Sequence, residues 1–430
     1  MAEQRLERRV LPVGRRVRLT VPSFPRRPLG GLLGPAAADA RQSLGALALS
    51  ATTSLITGLL IARFTGTLEN LPGLFMLLPA AYGLRGNVFG PLGSRLSTAL
   101  RTGTLSWSWR IDTVLGQNVV AALVVSLAAS LVHAALAEVV IRGAGQADPI
   151  SLADFIVVSV LGGMLASVVV LGITLALAVA STRFGWDLDN VTAPLVSATG
   201  DFVTFPALIA STALVRISVV TPVLAALTAA GVLVAMAAVW RSDLKVARRV
   251  VAESVPVLAG AGLLSLLAGL ALQSTQERFF TFGVFLVIIP GYLSTAGALG
   301  GILAARLGTK LHLGFVERTL IPTGEARSDI RFTFALSFPI FVFTALVTAF
   351  VAGIFGETSP GVWQVVLVTV SGGLVATVFV IAIAYYGTLA IVRFGLDPDN
   401  HGIPIVTASL DVVGALTLVG ALLMWRVAPS

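Results

Sequence analysis

The chain has 430 residues, 56% of them hydrophobic and only 12% charged, with a mean hydropathy of +0.93. Soluble domains carry about 25% charged residues, so the composition argues against a water-soluble enzyme and for a polytopic helical membrane protein. The absence of cysteine excludes disulfides, thiolate metal sites and cysteine nucleophiles, and three histidines (His133, His312 and His401) are too few for a zinc or haem centre.

The net charge is +8. On a soluble protein this would suggest nucleic acid, but here the charge is concentrated in one tail. Residues 1–39, with Arg41 just beyond, are rich in Arg and Pro and show no helical period. This segment reads as a disordered basic cytoplasmic arm. Its simplest role is a topology signal; contact with anionic lipid headgroups is the alternative. No nucleic-acid partner is expected. No apolar core follows in the window that a secretory signal peptide needs.

A membrane helix needs about 20 apolar residues. In chain order the candidates lie near 44–64, 70–100, 113–141, 152–181, 190–216, 219–240, 254–273, 280–308, 331–355, 363–391 and 401–427. Arg216 and Pro222 split the 190–240 stretch into two helices joined by a tight turn. With the arm placed inside and the spans alternating, most Lys and Arg fall on the cytoplasmic side. This predicts a cytoplasmic N-terminus, an outside C-terminus and an odd number of spans, in the plasma membrane. Trp107, Trp109, Trp186, Trp240, Trp363 and Trp425 fall near predicted span ends, as interfacial aromatics do.

The chain repeats itself. RFGWDLDN at 183–190 returns as RFGLDPDN at 393–400, and Gly162-Gly163, Pro194 and Asp201 match Gly372-Gly373, Pro404 and Asp411 at the same offset of 210. Upstream the offset is 211, where Pro79, Gly86, Gly90 and Arg95-Leu96 match Pro290, Gly297, Gly301 and Arg306-Leu307. The expected organisation is therefore a basic arm (1–39), a five-helix repeat (40–217), a linking transmembrane helix with a basic cytoplasmic loop (218–250) and a second five-helix repeat (251–430). A single linking span makes the repeats parallel, related by a pseudo-two-fold axis along the membrane normal.

A carboxylate at membrane depth is costly, so its presence suggests function. Asn190 opens the predicted fifth helix and Asp201 follows eleven residues on. That is about 16 Å at 1.5 Å per residue, near the middle of the bilayer. Asn400 and Asp411 repeat the spacing. Two carboxylates facing each other on the axis repel, and a divalent cation between them relieves the repulsion. Oxygen ligands without Cys point to a hard cation, Mg²⁺ before Zn²⁺ or Cu²⁺, held through its water shell. The plainer alternative is that each Asp bonds only a neighbouring helix. Asp189, Asn190, Asp399 and Asn400 suit helix N-caps; with the further carboxylates Asp187 and Asp397 they alternatively form a cation-attracting inner vestibule. In the second helix Pro79, Pro91 and several glycines are expected to break or thin the helix and free backbone carbonyls for an ion path, with Asn87 and Arg85 polar at that depth. Arg85 is expected to pair with a carboxylate or carbonyls. The histidines read as interfacial or loop residues.

The segments GNVFGPLGSRLSTAL (86–100) and DLDNVTAPLVSATGD (187–201) resemble the second and fifth helices of the MgtE-type magnesium transporter membrane domain. The duplication within one chain resembles solute-carrier family 41. In repeat 2 GNVFG becomes GALGG and ATGD becomes ASLD, a weaker match. The resemblance implies a Mg²⁺ path on the axis, lined by second and fifth helices, with Asp201 and Asp411 holding the hydrated ion. It also implies that backbone oxygens one turn earlier, at Ser197 and Thr407, assist. It implies no enzymatic activity, with Mg²⁺ as transported substrate and no organic cofactor. A monomer already supplies both halves, and a homodimer remains open. MgtE carries cytoplasmic Mg²⁺-sensing domains before its membrane part, where only the short Arg- and Pro-rich arm is expected here, so gating by them does not carry over. The alternatives are a Na⁺- or H⁺-coupled exchanger of Mg²⁺, Co²⁺ or Mn²⁺; an intramembrane aspartyl protease, weakened by Ala198 before Thr199-Gly200-Asp201; and a membrane scaffold.

Overall fold

The computed structural model describes residues 35–146, 148–184, 188–312, 315–394 and 403–427, and divides into two units, 1–42 and 43–430. Of the first unit the description covers only helical backbone at 35–42. The predicted inner vestibule falls largely outside the described residues: Asp187, Asp397, Asp399 and Asn400 are not described, and for Asp189 and Asn190 only the backbone is.

Every regular element among the described residues is helical. In chain order they are α1 (Pro35–Arg63), α2 (Thr65–Asn70), α3 (Leu74–Arg101), α4 (Val114–Gly143), α5 (Leu152–Ile156), a π-helical turn (Val157–Gly162), α6 (Gly163–Phe184), α7 (Leu188–Thr212), α8 (Val220–Arg241), α9 (Lys245–Gln273), α10 (Gln276–Thr281), α11 (Gly283–His312), α12 (Gly324–Ile354), α13 (Val362–Phe394) and α14 (Ile403–Met424). Helices dominate because lipid offers no hydrogen bonds, so each backbone group must be satisfied within its own segment. Among the described residues nine helices are long and apolar enough to cross a membrane. The chain is an integral membrane protein of polytopic all-α class. α3 falls short of that hydropathy because Arg85, Asn87, Arg95 and its prolines and glycines interrupt the apolar run.

Helix ends follow local chemistry. Thr113 caps α4 by accepting from the Gly116 N–H. Ser151 and Asp154 form a reciprocal capping box at α5. The break between α7 and α8 falls where Arg216 and Pro222 predicted it. Arg216 adopts a left-handed φ of 59°, held there by its N–H donating to Asp154 Oδ1 at 3.0 Å and its guanidinium donating to the Asn70 carbonyl at 3.0 Å. Two expectations are corrected. α3 runs unbroken through Pro79 and Pro91, because each proline forfeits one intrahelical bond without ending a helix packed on several sides. Among the described residues the chain is already helical at Leu188, so neither Asp189 nor Asn190 is the capping residue of α7.

The two halves meet by exchange of their first helices. α9 packs against α3, α4 and α14. At Gly269 a side chain would collide with the Met76 carbonyl of α3, and at Gly58 of α1 with the Val287 carbonyl of α11. Gly58 and Gly269 are 211 residues apart, as are Met76 and Val287. Small residues at these crossings let backbones touch. A third pair obeys the same offset: Arg95 Nε donates to Asn118 Oδ1 and Arg306 Nε to Asp329 Oδ1, both at 2.9 Å. α8 packs on α4, α5 and the π turn and is otherwise largely exposed, as a helix facing lipid is.

Candidate functional site

Asp201 sits in the middle of α7 and Asp411 in the first half of α14. Both line one cavity of about 360 Å³, together with Ser197 and Thr407 one turn earlier on the same helices. The remaining wall comes from α3 (Pro79, Tyr82 and Gly83), α11 (Pro290, Leu293, Ser294 and Gly297) and α1 (Leu47, Ser50 and Ser54). Pro79 with Pro290, Ser197 with Thr407 and Asp201 with Asp411 are repeat partners. The cavity therefore lies between the halves, with one carboxylate contributed by each.

The glycines on α3 bring its backbone to the acidic helices. A Cβ on Gly83 would stand 3.8 Å from Asp411 Oδ2, and one on Gly86 would stand 3.1 Å from Ser197 Oγ. Asp411 is half-buried and accepts a hydrogen bond from Ser265 Oγ of α9 at 3.1 Å. Across the cavity Ser50 and Ser294 share a hydroxyl–hydroxyl bond of 2.9 Å, joining α1 to α11. Among the described residues the buried Tyr82 hydroxyl has no hydrogen-bond partner.

Asn87 is placed beside the main cavity. It lines a small neighbouring void with Gly83, His133 and Ser265. Pro91 has no N–H to give the Asn87 carbonyl, so that carbonyl lacks its usual helical partner. His133 corrects the expectation of an interfacial or loop residue: it is 4% exposed in mid-α4, and its Nε2 hydrogen-bonds the Leu258 carbonyl of α9 at 3.0 Å. Arg85 corrects another. It is 1% exposed, and its partners are hydroxyls, not carboxylates or carbonyls: Nη1 donates to Ser126 Oγ at 3.0 Å and Nη2 to Ser130 Oγ at 3.4 Å.

Sequence reasoning missed the first helices. Ser54 and Ser265 both belong to the site, and the signal was present: Ser54-Leu55 with Gly58-Leu59 returns as Ser265-Leu266 with Gly269-Leu270 at offset 211. Among the described residues no cluster of three or more His, Asp or Glu could hold a metal ion. A cation here would meet two carboxylates, hydroxyls, backbone oxygens and water. This donor set suits a hard, hydrated ion and not zinc or copper.

Fold and cavity together define a polytopic helical membrane transporter with an acidic chamber between two related halves. The sequence profile of the MgtE family, described as a divalent cation transporter, matches residues 78–211 and 289–421, more than half of the chain. The chain belongs to that family, whose members are transporters and not enzymes, and divalent cation transport is its function at that level. Solute carrier family 41 member 2 of Xenopus laevis is 27% identical over 398 residues, covering 85% of this chain and 68% of that protein. Solute carrier family 41 member 3 of Rattus norvegicus is 25% identical over 372 residues, covering 81% and 79%. A solved multidrug resistance MATE family transporter aligns over 90% of this chain and 93% of its own at 14% identity, with a TM-score of 0.27, too low to argue a shared fold.

Proposed function

We propose that this protein carries Mg²⁺ across the plasma membrane along the axis between its two halves, with Asp201 and Asp411 as the central ligands. The observation that carries the reading is that both carboxylates, one per repeat, line a single cavity. Ser197 and Thr407 line it one turn away, where their backbone oxygens serve as further acceptors. Mg²⁺ sheds water reluctantly, and a chamber of about 360 Å³ has room for a cation with water around it. Asn87 stands beside the path. Asp187, Asp189, Asn190, Asp397, Asp399 and Asn400 form the cytoplasmic vestibule that gathers cations ahead of it.

In this reading residues 40–217 and 251–430 are parallel repeats about an axis along the membrane normal. Residues 218–250 link them, the N-terminus is cytoplasmic and the C-terminus outside. The arm at 1–39 sets topology and touches anionic lipid, and one chain holds a complete path.

Titration of the purified protein with Mn²⁺, followed by electron paramagnetic resonance with Mg²⁺ as competitor, tests the site. One competed Mn²⁺ per chain, lost in Asp201→Asn/Asp411→Asn, is expected. Undiminished binding in the double variant would overturn the assignment.

A further inference from the structure

The two halves differ sharply at one place beside this site. In repeat 1 the Arg85 guanidinium lies against Gly163 and the hydroxyls of Ser126 and Ser130. Among the described residues it meets no carboxylate, and its Nε lacks any hydrogen-bond partner. In repeat 2 the equivalent positions are Ala296 for Arg85 and Phe341 for Ser130. The Phe341 ring there is fully buried and presses on Gly373, the partner of Gly163. One half thus fills this space with a cation and a hydroxyl, and the other with an apolar ring.

An uncompensated buried charge is among the most expensive groups in a membrane protein. The same chain shows that the space accepts an apolar filling, so packing does not require the arginine. The backbone also differs: a π turn over Val157–Gly162 leads into Gly163, whereas α13 is α-helical throughout Val362–Phe394. π turns interrupt helices frequently at functional sites. Arg85 is also tied to the acidic helix, because a Cβ on Gly200, the residue before Asp201, would come within 2.9 Å of Arg85 Cβ.

We propose that Arg85 is a specificity-determining fixed positive charge that weakens the hold of Asp201 and Asp411 on a divalent cation, so that the ion is released and not trapped. This rests on the axial-carboxylate reading. Two carboxylates alone offer charge −2, which neutralises a divalent ion and holds it tightly in a low dielectric. With Arg85 the empty site carries −1, its carboxylates repel each other less, and a bound divalent ion leaves an excess positive charge that favours exit. The guanidinium is held against Ser126, Ser130 and Gly163, touches neither carboxylate among the described residues, and acts on them through space.

The test replaces the repeat-1 arrangement by the repeat-2 one, Arg85→Ala with Ser130→Phe, which preserves filled volume. Arg85→Met and Arg85→Lys are made alongside it. Mg²⁺ flux into liposomes is measured against Mg²⁺ concentration, together with inhibition of that flux by Na⁺. The symmetrised variant and Arg85→Met are expected to half-saturate at five- to tenfold lower Mg²⁺, with a reduced maximal rate and weaker Na⁺ inhibition, while Arg85→Lys restores the wild-type pattern. Unchanged half-saturation in Arg85→Met, or a shift in Arg85→Lys equal to that in Arg85→Met, would overturn the proposal. Asp201→Asn/Asp411→Asn is run in the same assay, where flux persisting at the wild-type level would instead overturn the axial site itself, which keeps the two failures distinct.

Discussion

Asp411 and Asp201 occupy equivalent positions, yet their surroundings are not equal. Asp411 accepts from Ser265 of α9; Ser54 is the repeat partner of Ser265 and lines the cavity on α1. A hydrogen bond to a charged group contributes about 1.5–3 kcal/mol, so Ser265→Ala is expected to weaken Mg²⁺ binding about tenfold. Ser54→Ala is expected to have a smaller effect, and a binding titration of the two variants ranks them. At the residue scale the sequence made the aspartates legible because they recur at offset 210. It left His133 and Arg85 obscure. A single buried polar side chain in mid-helix has no period, and its partner hydroxyls on α4 lie about 40 residues further along the chain.

At the scale of elements the fold depends on close crossings and on ionic ties at helix ends. Gly269→Leu places a side chain where the Met76 carbonyl stands, and Gly58→Leu does the same at Val287. Overpacking of this kind costs about 1–3 kcal/mol. Each variant is expected to lose thermal stability in detergent, and a melting curve that stays at the wild-type temperature would contradict the reciprocal crossing.

Asp329 is 1% exposed and bridges Arg306 Nε at 2.9 Å and Lys310 Nζ at 2.8 Å. Burial opposes the Lys310 charge, but hydrogen bonds to Asp329 and Glu325 outweigh it and hold its pKa above the ordinary 10.5. A raised cationic pKa stabilises fully below the ordinary value and ceases to do so as pH climbs through the raised one. Stability is therefore expected to show no Lys310 contribution to its pH dependence between pH 7 and about 10, and to decline above that. Lys310→Met removes this alkaline limb, which melting temperatures across the pH series would reveal. The helices were readable from hydropathy to within a few residues at most ends, although among the described residues α3 and α7 are not among the nine apolar enough to count as spans. The breaks expected at Pro79 and Pro91 were not, because tertiary packing holds α3 continuous around them.

For the molecule as a whole, the proposed path runs through a cavity shared by the two halves, so contacts that join the halves across it are expected to affect flux. Ser50 of α1 and Ser294 of α11 touch across it at 2.9 Å in a chain with no native cysteine. The pair Ser50→Cys/Ser294→Cys is expected to form a disulfide under oxidation, to arrest flux by pinning the halves, and to recover on reduction. Undiminished flux from fully oxidised protein would show that this contact need not open. The duplication was legible in the sequence, whereas the exchange of first helices was not. Hydropathy and motif repeats fix which helices exist, but the contacts that pair α1 with α11 and α9 with α3 are made by glycines and serines of low information.

The central claim is that one carboxylate from each half holds the transported ion. Its most direct test is Mg²⁺ flux into proteoliposomes, reported by an entrapped indicator, for wild type, Asp201→Asn, Asp411→Asn and the double variant, each verified as folded and inserted. Each single variant is expected to lose at least tenfold in rate and the double variant to fall to the level of empty liposomes. Wild-type flux persisting in the folded double variant would contradict the account.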